Sequence, residues 1–369
     1  VNGHSKNNRI VALFDSSACP SSARSACMAA AAAAAAVAVV AGRRLNIGRR
    51  LIVAAAPCPG LLRTQRMAAP PPPVGADGGA RASSSASVTA FHELEHRNWE
   101  KAVAAYDKGW GALTQQCIPE ILAAVDCKRA AKVLDVATGP GFAAEAAARE
   151  GAEVVAVDFS ANMLALARER LAGTVGAAVR LVEADAANLP FDDGSFDAVV
   201  CNFGVLHLPV PEDFFREAAR VLRPGGRLAF TVWAPPPKTQ AFDLILGAVK
   251  RQGNPDVPLP EGPPFFRFAD AEEAARGLEA AGLEGATSKE VPQVWRLAGP
   301  SEGFVAFRDG TGRTAALLAG QTPAQLAAVE ADLLSNLEAR RTAPGGPIEL
   351  LMPCVMTVAR KPSAGSTKL

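Results

Sequence analysis

From residue 91 onward, short runs of Val, Leu and Ala alternate with longer amphipathic stretches. Helical spacing is found in "FHELEHRNWEKAVAAYDKGWG" and "TQQCIPEILAAVD", and apolar runs follow at "AKVLDVA", "AEVVAVD", "AVRLVEAD", "FDAVVCNF" and "GRLAFTVW". Nearly continuous apolar strands separated by helices are typical of a parallel sheet that is covered on both faces. The pattern therefore predicts an α/β doubly wound fold, in which ligands bind at the carboxyl ends of the strands.

The first 87 residues differ from the rest because they have no sustained amphipathic period. They contain ten Lys/Arg and two acids, so of the chain's 38 basic and 37 acidic side chains, 28 and 35 belong to residues 88–369. An Arg-rich, Ser-rich and acid-poor head is typical of an organelle transit peptide. We predict a disordered targeting segment and linker over 1–87, with a plastid (chloroplast) favoured over a mitochondrion. The alternatives are a signal peptide built on the Ala-rich run 28–42, and a low-complexity extension without an address, which would leave the protein cytoplasmic.

The charge and cysteine patterns restrict the partners. Residues 88–369 are acidic on balance and have no basic stripe, which argues against a nucleic-acid partner. The Ala-rich run is shorter than a membrane span, so no stable membrane insertion is expected. The seven cysteines contain no C-x-x-C pair, which favours neither a metal site nor a disulfide framework. A small-molecule substrate is the expected partner, and the protein is expected to be a monomer or a homodimer.

A glycine turn follows the first predicted strand in "VLDVATGPG" (133–141). Such a turn lets a ligand approach the backbone and opens the next helix with free N–H groups. "GPGFAA" (139–144) also satisfies the dinucleotide fingerprint, with Asp158 seventeen residues after Gly141, so an NAD(P)-dependent Rossmann oxidoreductase is an alternative. Three features favour another nucleotide: Asp135 lies inside the first strand, Asp185 ends the third, and "RVLRPGGRLAF" turns into the fifth.

The segments "VLDVATGPG", "VVAVDFSANML", "EADAANLPFDDGSFDAVVCNFGVLHL" and "RVLRPGG" occur in this order over about residues 95–235. Together they resemble the class I S-adenosylmethionine-dependent methyltransferases, especially the small-molecule and ubiquinone-biosynthesis-type members. The resemblance implies a seven-stranded, mostly parallel, Rossmann-like sheet with a helical lid. It also implies direct SN2 transfer of a methyl group from S-adenosylmethionine to a small acceptor, and a C-methyltransferase for a quinone precursor is an alternative within the family.

The resemblance also implies roles for residues around the glycine turn. Asp135 would support the loop near the methionine end of the cofactor, and Gly139 and Gly141 would form the loop itself. Ala137 stands where the family usually has its first glycine. Asp158, at the end of the second strand, would accept hydrogen bonds from the two ribose hydroxyls, because both carboxylate oxygens are acceptors.

Further along the chain, Phe159 and Met163 would flank the adenine ring by the same resemblance. Asp185 would accept a hydrogen bond from the adenine amino group, with the N–H of Ala186 nearby. A capping or packing role is the simpler alternative for each of the three acids.

Three aromatic or polar residues are assigned to the methionine end. By the resemblance, Asn202 and Phe203 would line the methionine moiety, and Tyr106 would close over it. His207 follows the fourth strand on the ligand side and is the candidate general base. The alternative for His207 is a packing role.

The methyltransferase domain is predicted over 88–369, with lid insertions at 234–269 and 298–347. The final strand, inserted antiparallel as in the family, is predicted over 348–361. Candidate pocket aromatics are Trp110, Phe265, Phe266, Phe268 and Trp295, and candidate anion-binding arginines are Arg267, Arg308 and Arg313.

Overall fold

Seven strands form one sheet in the computed structural model, which describes residues 85–363. The targeting segment predicted over 1–87 lies outside the described residues, except that its last three residues open the first helix at Ser85. The strands are β1 (Lys132–Val136), β2 (Glu153–Asp158), β3 (Val179–Glu183), β4 (Phe196–Asn202), β5 (Leu222–Trp233), β6 (Glu284–Val291), β7 (Val294–Leu297), β8 (Ile348–Leu351) and β9 (Cys354–Arg360).

The order in the large sheet is β3-β2-β1-β4-β5-β9-β6, and only β9 runs antiparallel to its neighbours. The strand order reverses between β1 and β4, which creates a crevice outside their carboxyl ends. The predicted doubly wound, seven-stranded, mostly parallel fold is confirmed.

Helices flank the sheet and extend over its carboxyl edge. They are α1 (Ser85–Gly109), α2 (Gly111–Thr114), α3 (Ile118–Ala124), α4 (Phe142–Arg149), α5 (Ala161–Ala172), α6 (Pro211–Val221), α7 (Gln240–Gln252), α8 (Ala271–Ala280), α9 (Pro300–Asp309), α10 (Arg313–Ala319) and α11 (Pro323–Glu338). The two predicted lid insertions contain α7 and α9–α11, respectively. None of the described helices combines the length and apolar content that crossing a bilayer requires.

The core lies at the centre of the sheet. Leu134 in β1 pairs in register with Val155 in β2 and Val199 in β4, and all three side chains are buried. Strands buried on both faces have no need of polar alternation, which explains the continuous apolar runs in the sequence.

The predicted final strand is divided in two. Met352 and Pro353 separate β8 from β9, since Pro353 has no N–H to donate to a strand ladder and the Met352 side chain is fully buried. β8 pairs with β7 in a separate two-stranded sheet, whereas β9 lies between β5 and β6. The prediction of one strand over 348–361 is therefore wrong in extent, and its antiparallel insertion is confirmed.

Candidate active site

The loop after β1 requires left-handed backbone at three positions. Ala137, Gly139 and Gly141 have φ of 54°, 53° and 85°, and a Cβ on Gly139 would meet no atom within 4 Å. Glycine adopts this conformation without a steric cost, whereas an L-residue such as Ala137 pays about 1–2 kcal/mol. The glycine that the resemblance implies at position 137 would avoid this steric cost, and the alanine of this chain is accommodated with strain.

Asp135 is buried directly below this loop. Its Oδ2 accepts a hydrogen bond of 2.6 Å from the Thr138 hydroxyl, while Oδ1 has no hydrogen-bond partner among residues 85–363. Burial raises the pKa of Asp135 to about 7; the Thr138 hydroxyl opposes the shift, and so does the nearby Ala144 N–H, which lies outside hydrogen-bond geometry. One buried acceptor atom of Asp135 therefore has no hydrogen-bond partner among residues 85–363.

Asp158 ends β2 and ties the glycine loop to the start of α5. Its Oδ2 accepts from the N–H of Gly139 at 2.8 Å, and its Oδ1 accepts from the N–H of Ser160 at 3.0 Å. Burial raises the pKa of Asp158 to about 6, although both N–H groups lower it. The Ser160 hydroxyl caps α5 by accepting from the Met163 N–H, so Asp158 is not itself the side-chain cap.

One cavity runs along the carboxyl ends of β1, β2 and β4. Twelve of the thirteen predicted site residues line it: Tyr106, Asp135, Ala137, Gly139, Asp158, Phe159, Met163, Asp185, Ala186, Asn202, Phe203 and His207. Gly141 does not line it. Gly141 instead precedes α4, where a Cβ would lie 3.2 Å from the Ala167 Cβ, so its part is close packing of α4 on α5.

Asp185 and Phe159 lie at one end of the cavity, together with a histidine that the sequence did not identify. The His92 ring stacks on Phe159 with 5.8 Å between ring centroids, and its Nε2 lies 3.7 Å from Asp185 Oδ2. The other carboxylate oxygen of Asp185 accepts from the Ala187 N–H at 2.9 Å. His92 comes from α1, far from this position in the chain, so no local motif could have indicated it.

Asn202 and Tyr106 lie towards the opposite end. The Asn202 amide donates to the Thr114 carbonyl at 3.0 Å, and its oxygen accepts from the Thr231 hydroxyl at 2.7 Å. Asn202 therefore joins the N-terminal helices to the sheet as well as lining the cavity. Burial raises the pKa of Tyr106 to about 12, so its hydroxyl, 3.4 Å from Thr114 Oγ1, stays protonated.

His207 stands in a short 3₁₀ turn after β4 and faces the same cavity. Its Nδ1 lies 2.9 Å from Oε2 of Glu95, a fully buried carboxylate of α1. Trp99 packs edge-on against the His207 ring with 4.8 Å between centroids. Sequence reasoning identified neither Glu95 nor Trp99 as a site residue.

Aromatic side chains form the wall beyond His207. Phe203, whose φ of 59° is left-handed, stacks on Trp233 with 4.1 Å between centroids. The aromatic residues that line this end of the cavity are Trp99, Tyr106, Trp110, Phe203, Trp233, Phe242 and Phe265. Apolar faces of this kind accommodate a flat, poorly solvated ligand.

The candidate pocket aromatics separate into two groups. Trp110 and Phe265 line the cavity, whereas Trp295 stacks behind Trp110 and Phe268 is buried against Phe215. Phe266 packs edge-on against Phe265.

The candidate anion-binding arginines are bound by the protein itself. Arg267 pairs with Glu212 and Glu273, and Arg308 pairs with Asp309. Arg313 lines the cavity, but its guanidinium contacts Glu95 and two backbone carbonyls. Within residues 85–363, no group of three or more His, Cys, Asp or Glu is placed to hold a metal ion.

Comparison of the sequence with known proteins assigns the chain to a family. A family model described as a methyltransferase domain matches residues 134–230. A demethylmenaquinone methyltransferase of Thermobifida fusca is 35% identical over 171 residues, which are 44% of this chain and 72% of that protein. The chain belongs to the class I S-adenosylmethionine-dependent methyltransferase family.

Other relatives match over a shorter part. A demethylmenaquinone methyltransferase of Clavibacter sepedonicus is 45% identical over 121 residues, 32% of this chain and 49% of that protein. The chain spans about half the length of the first curated relatives that it matches. Among solved structures, phosphoethanolamine N-methyltransferase 2 of Haemonchus contortus in complex with S-adenosyl-L-methionine is 21% identical, with 74% of this chain and 60% of that chain covered and a TM-score of 0.46.

The family assignment confirms the predicted class. It covers the glycine loop, Asp158, Asp185 and His207, since all lie within 134–230. The roles of these individual residues stay predictions, because the family match concerns the domain as a whole.

Proposed function

We propose that this protein transfers a methyl group from S-adenosylmethionine directly to a small, planar, apolar acceptor. The observation that carries the proposal is the continuity of one cavity from Asp158 and Asp185 at one end to the aromatic wall at the other. A cofactor held at the Asp158 and Asp185 end of the cavity would direct its methyl group towards the aromatic wall. His207 lines the same cavity and supplies a base at that end.

The residues present fit this cofactor. Asp158 has two acceptor oxygens at the end of β2, where ribose hydroxyls need acceptors. The unpartnered Oδ1 of Asp135 suits the ammonium group of the methionine moiety. Open space over Gly139 leaves room for the ligand against the loop backbone, and Phe159 lines the part of the cavity where adenine would lie.

When bound, S-adenosylmethionine supplies a methyl group that is activated by attachment to a sulfonium. The chain's own part is to align acceptor, methyl carbon and sulfur and to exclude water. The rings of Trp233 and Phe203 present apolar surface to the acceptor, and a face of Tyr106 near a sulfonium is favourable through cation–π attraction. His207 would take the proton that the acceptor loses.

The aromatic wall favours a hydroquinone-like acceptor. A phenolic hydroxyl that gives its proton to His207 enriches the ring in electrons, and a ring carbon then forms the new C–C bond as the S–C bond breaks. The electron pair of the S–C bond would stay on sulfur. The ring C–H proton would pass to solvent water, and the imidazolium of His207 would return its proton to the ring oxygen, which restores the aromatic phenol. Two of the relatives that carry the family assignment are named demethylmenaquinone methyltransferases, which supports this acceptor class.

The test begins with ligand binding by the full chain. Thermal unfolding is measured with S-adenosylmethionine, S-adenosylhomocysteine, NAD(H) and NADP(H) in parallel, and a ligand at a hundred times its Kd adds about 2.7 kcal/mol. We expect stabilisation by the two sulfur-containing ligands only. Stabilisation by a nicotinamide nucleotide alone would overturn the proposal in favour of an oxidoreductase.

Acceptor identity is tested next with methyl-labelled cofactor. Reduced benzoquinones and naphthoquinones are compared with catechols and with small amines, and the labelled product is located by mass spectrometry. We expect label on a ring carbon of a quinol. Label on oxygen or nitrogen would keep the methyltransferase and reject the quinol C-methylation.

We also propose delivery to a plastid, on the basis of the acid-poor, Arg-rich composition of residues 1–87. A fusion of these residues to a fluorescent protein tests the address. Accumulation in mitochondria or in the cytosol would reject it. The proposed monomer or homodimer is distinguished by the mass of the full chain in solution.

A further inference from the structure

A buried carboxylate reaches His207 from a different part of the chain. Glu95 of α1 has no exposed surface, and its Oε2 lies 2.9 Å from His207 Nδ1 and 3.0 Å from the Trp99 indole nitrogen. Its other oxygen lies 3.3 Å from Nε of Arg313 at the start of α10. Three separate elements therefore bring hydrogen-bond groups to a single carboxylate.

The surroundings of Glu95 are built to hold it in place. The Arg313 guanidinium also donates to the carbonyls of Pro263 and Leu206, at 2.6 and 3.0 Å, and lies over the Phe91 ring. A Cβ on Gly312 would lie 2.6 Å from Glu95 Oε2, so only glycine permits this close approach of the chain. A buried charge that is paired and hydrogen-bonded in this way is held in a single geometry.

This arrangement determines which nitrogen of His207 carries the proton. A carboxylate only accepts hydrogen bonds, so the Nδ1 that faces it is the protonated nitrogen of a neutral imidazole. The lone pair is then on Nε2, which has no hydrogen-bond partner in the described part of the chain.

We propose that Glu95 is a positioning residue for His207: from α1 it holds the imidazole in the Nδ1–H tautomer, which leaves Nε2 free to accept the proton of the methyl acceptor. The inference rests on the proposed function, because it gives His207 a task. Glu95 acts only through His207, while Trp99 and Arg313 keep Glu95 in position. The negative charge of Glu95 also stabilises the imidazolium that forms as the proton is taken.

Glu95→Gln provides a directional test. Two groups compete for the amide oxygen of the new side chain: the Arg313 cation on one side and the neutral indole N–H of Trp99 on the other. Since a charge-assisted hydrogen bond is the stronger, the oxygen faces Arg313, and the NH₂ group is turned towards His207 and donates to Nδ1. His207 is then expected to change to the Nε2–H tautomer. Loss of the same interaction in a serine protease, through replacement of an aspartate by asparagine, acts through the wrong histidine tautomer.

The tautomer is read directly from the full chain with ¹⁵N-labelled histidine. The chain has four histidines, and the spectrum of His207→Gln assigns the resonance of interest by its disappearance. We expect Nδ1–H for His207 in the wild type and Nε2–H in Glu95→Gln. An Nε2–H tautomer or an imidazolium at pH 8 in the wild type, or an unchanged tautomer in the variant, would overturn the inference.

Kinetics provide the second readout. We expect Glu95→Gln to lower kcat about 10²- to 10⁴-fold, the usual contribution of a positioned base, while KM and the Kd of S-adenosylhomocysteine change less than about threefold. Glu93→Gln is the matched control, since Glu93 lies on the same helix with an exposed side chain, and it is expected to keep wild-type kcat. A loss of cofactor affinity equal to the loss of kcat would reduce Glu95 to a structural role.

Failure of the two proposals can be distinguished. If no acceptor is methylated by the wild type, the proposed function fails, although the tautomer measurement still decides whether Glu95 sets the protonated nitrogen. If the wild type methylates its acceptor and Glu95→Gln is equally fast, the proposed function stands and the positioning role is rejected.

Discussion

Replacing Asp158 by Asn separates cofactor binding from folding. The two side chains have nearly the same shape, but Asn has one acceptor oxygen and no charge. Burial raises the pKa of Asp158 from 3.8 to about 6, so its ionised form at pH 8 costs the fold about 3 kcal/mol. The Asp158→Asn variant is free of that cost. However, the NH₂ group of its side chain faces the N–H of either Gly139 or Ser160, and the loss of that hydrogen bond destabilises the fold by about 1–3 kcal/mol. We therefore expect the stability of the unliganded protein to change by less than about 2 kcal/mol.

Cofactor affinity is expected to respond much more strongly. If Asp158 accepts hydrogen bonds from both ribose hydroxyls, the variant loses one charge-assisted hydrogen bond and weakens the other. The binding free energy of the cofactor then falls by about 2–4 kcal/mol in all. That corresponds to a Kd about 30- to 1000-fold higher. At a concentration of S-adenosylhomocysteine that stabilises the wild type by about 2.7 kcal/mol, a variant with a hundredfold higher Kd gains only about 0.4 kcal/mol.

The assay is thermal unfolding with and without S-adenosylhomocysteine, together with calorimetric titration at pH 8. Asp192→Asn, in the exposed loop before β4, is the control for a change of charge elsewhere. A folded Asp158→Asn variant that binds within threefold of the wild type would refute the ribose role. A variant that unfolds before ligand is added would refute the energetic argument.

The other predictions concern pH and two backbone positions. Asp135 and Asp158 bind protons more tightly in the folded chain than in the unfolded one, so their contribution to stability falls as pH rises from about 4 to about 7. If both carboxylates accept hydrogen bonds from the ligand in their ionised form, S-adenosylhomocysteine should bind at least about tenfold more weakly at pH 5.5 than at pH 8, by calorimetry. Gly204→Ala places a Cβ 2.5 Å from that of Ala137 and should cost about 1–3 kcal/mol in urea unfolding, whereas Gly173→Ala, with no atom within 4 Å, should cost nothing. Ala137→Gly removes the steric strain of a residue with φ of 54°, so the free energy of unfolding should rise by about 0.5–1 kcal/mol in the same assay.

Three results would contradict the predictions on pH and on the backbone of the loop. Ligand affinity that is independent of pH, or stronger at pH 5.5, would contradict the role of the two buried carboxylates. Equal effects of alanine at positions 204 and 173 would contradict the packing of the loop. A loss above 1 kcal/mol in Ala137→Gly would show that the Ala137 methyl contributes more by packing than it costs by conformation.

Local patterns were sufficient to predict the sheet and the glycine loop. Val133, Leu134 and Val136 are the apolar positions of a strand covered on both faces, with Asp135 as its one buried acid, and the turn that follows is visible as glycine. The division between β8 and β9 was missed because "IELLMPCVMTVARK" is apolar on both sides of Pro353. The local signal for the division is Pro353 itself, because proline is rare inside a central strand.

The residues that could not be predicted come from elements that meet only in the folded chain. Glu95 and Arg313 are 218 positions apart, and neither lies in a motif. Glu95 resembles any helix-surface glutamate in the sequence, and only its complete burial distinguishes it. The sequence predicts Arg313 as an anion ligand, but two backbone carbonyls and the Glu95 carboxylate already accept hydrogen bonds from its guanidinium.

The spacing of α1 contained a signal that explains why one helix serves the whole cavity. His92, Trp99 and Tyr106 recur every seven residues, which places them on one helix face, and all three line the cavity. At 1.5 Å per residue, this face extends about 21 Å, from the Asp185 end to the methionine end. Glu95 lies one turn from both His92 and Trp99, so the helix that stacks on the proposed adenine site also supplies the carboxylate for His207. Under the two proposals, docking of α1 serves both cofactor binding and base orientation, although α1 lies outside the family match at 134–230.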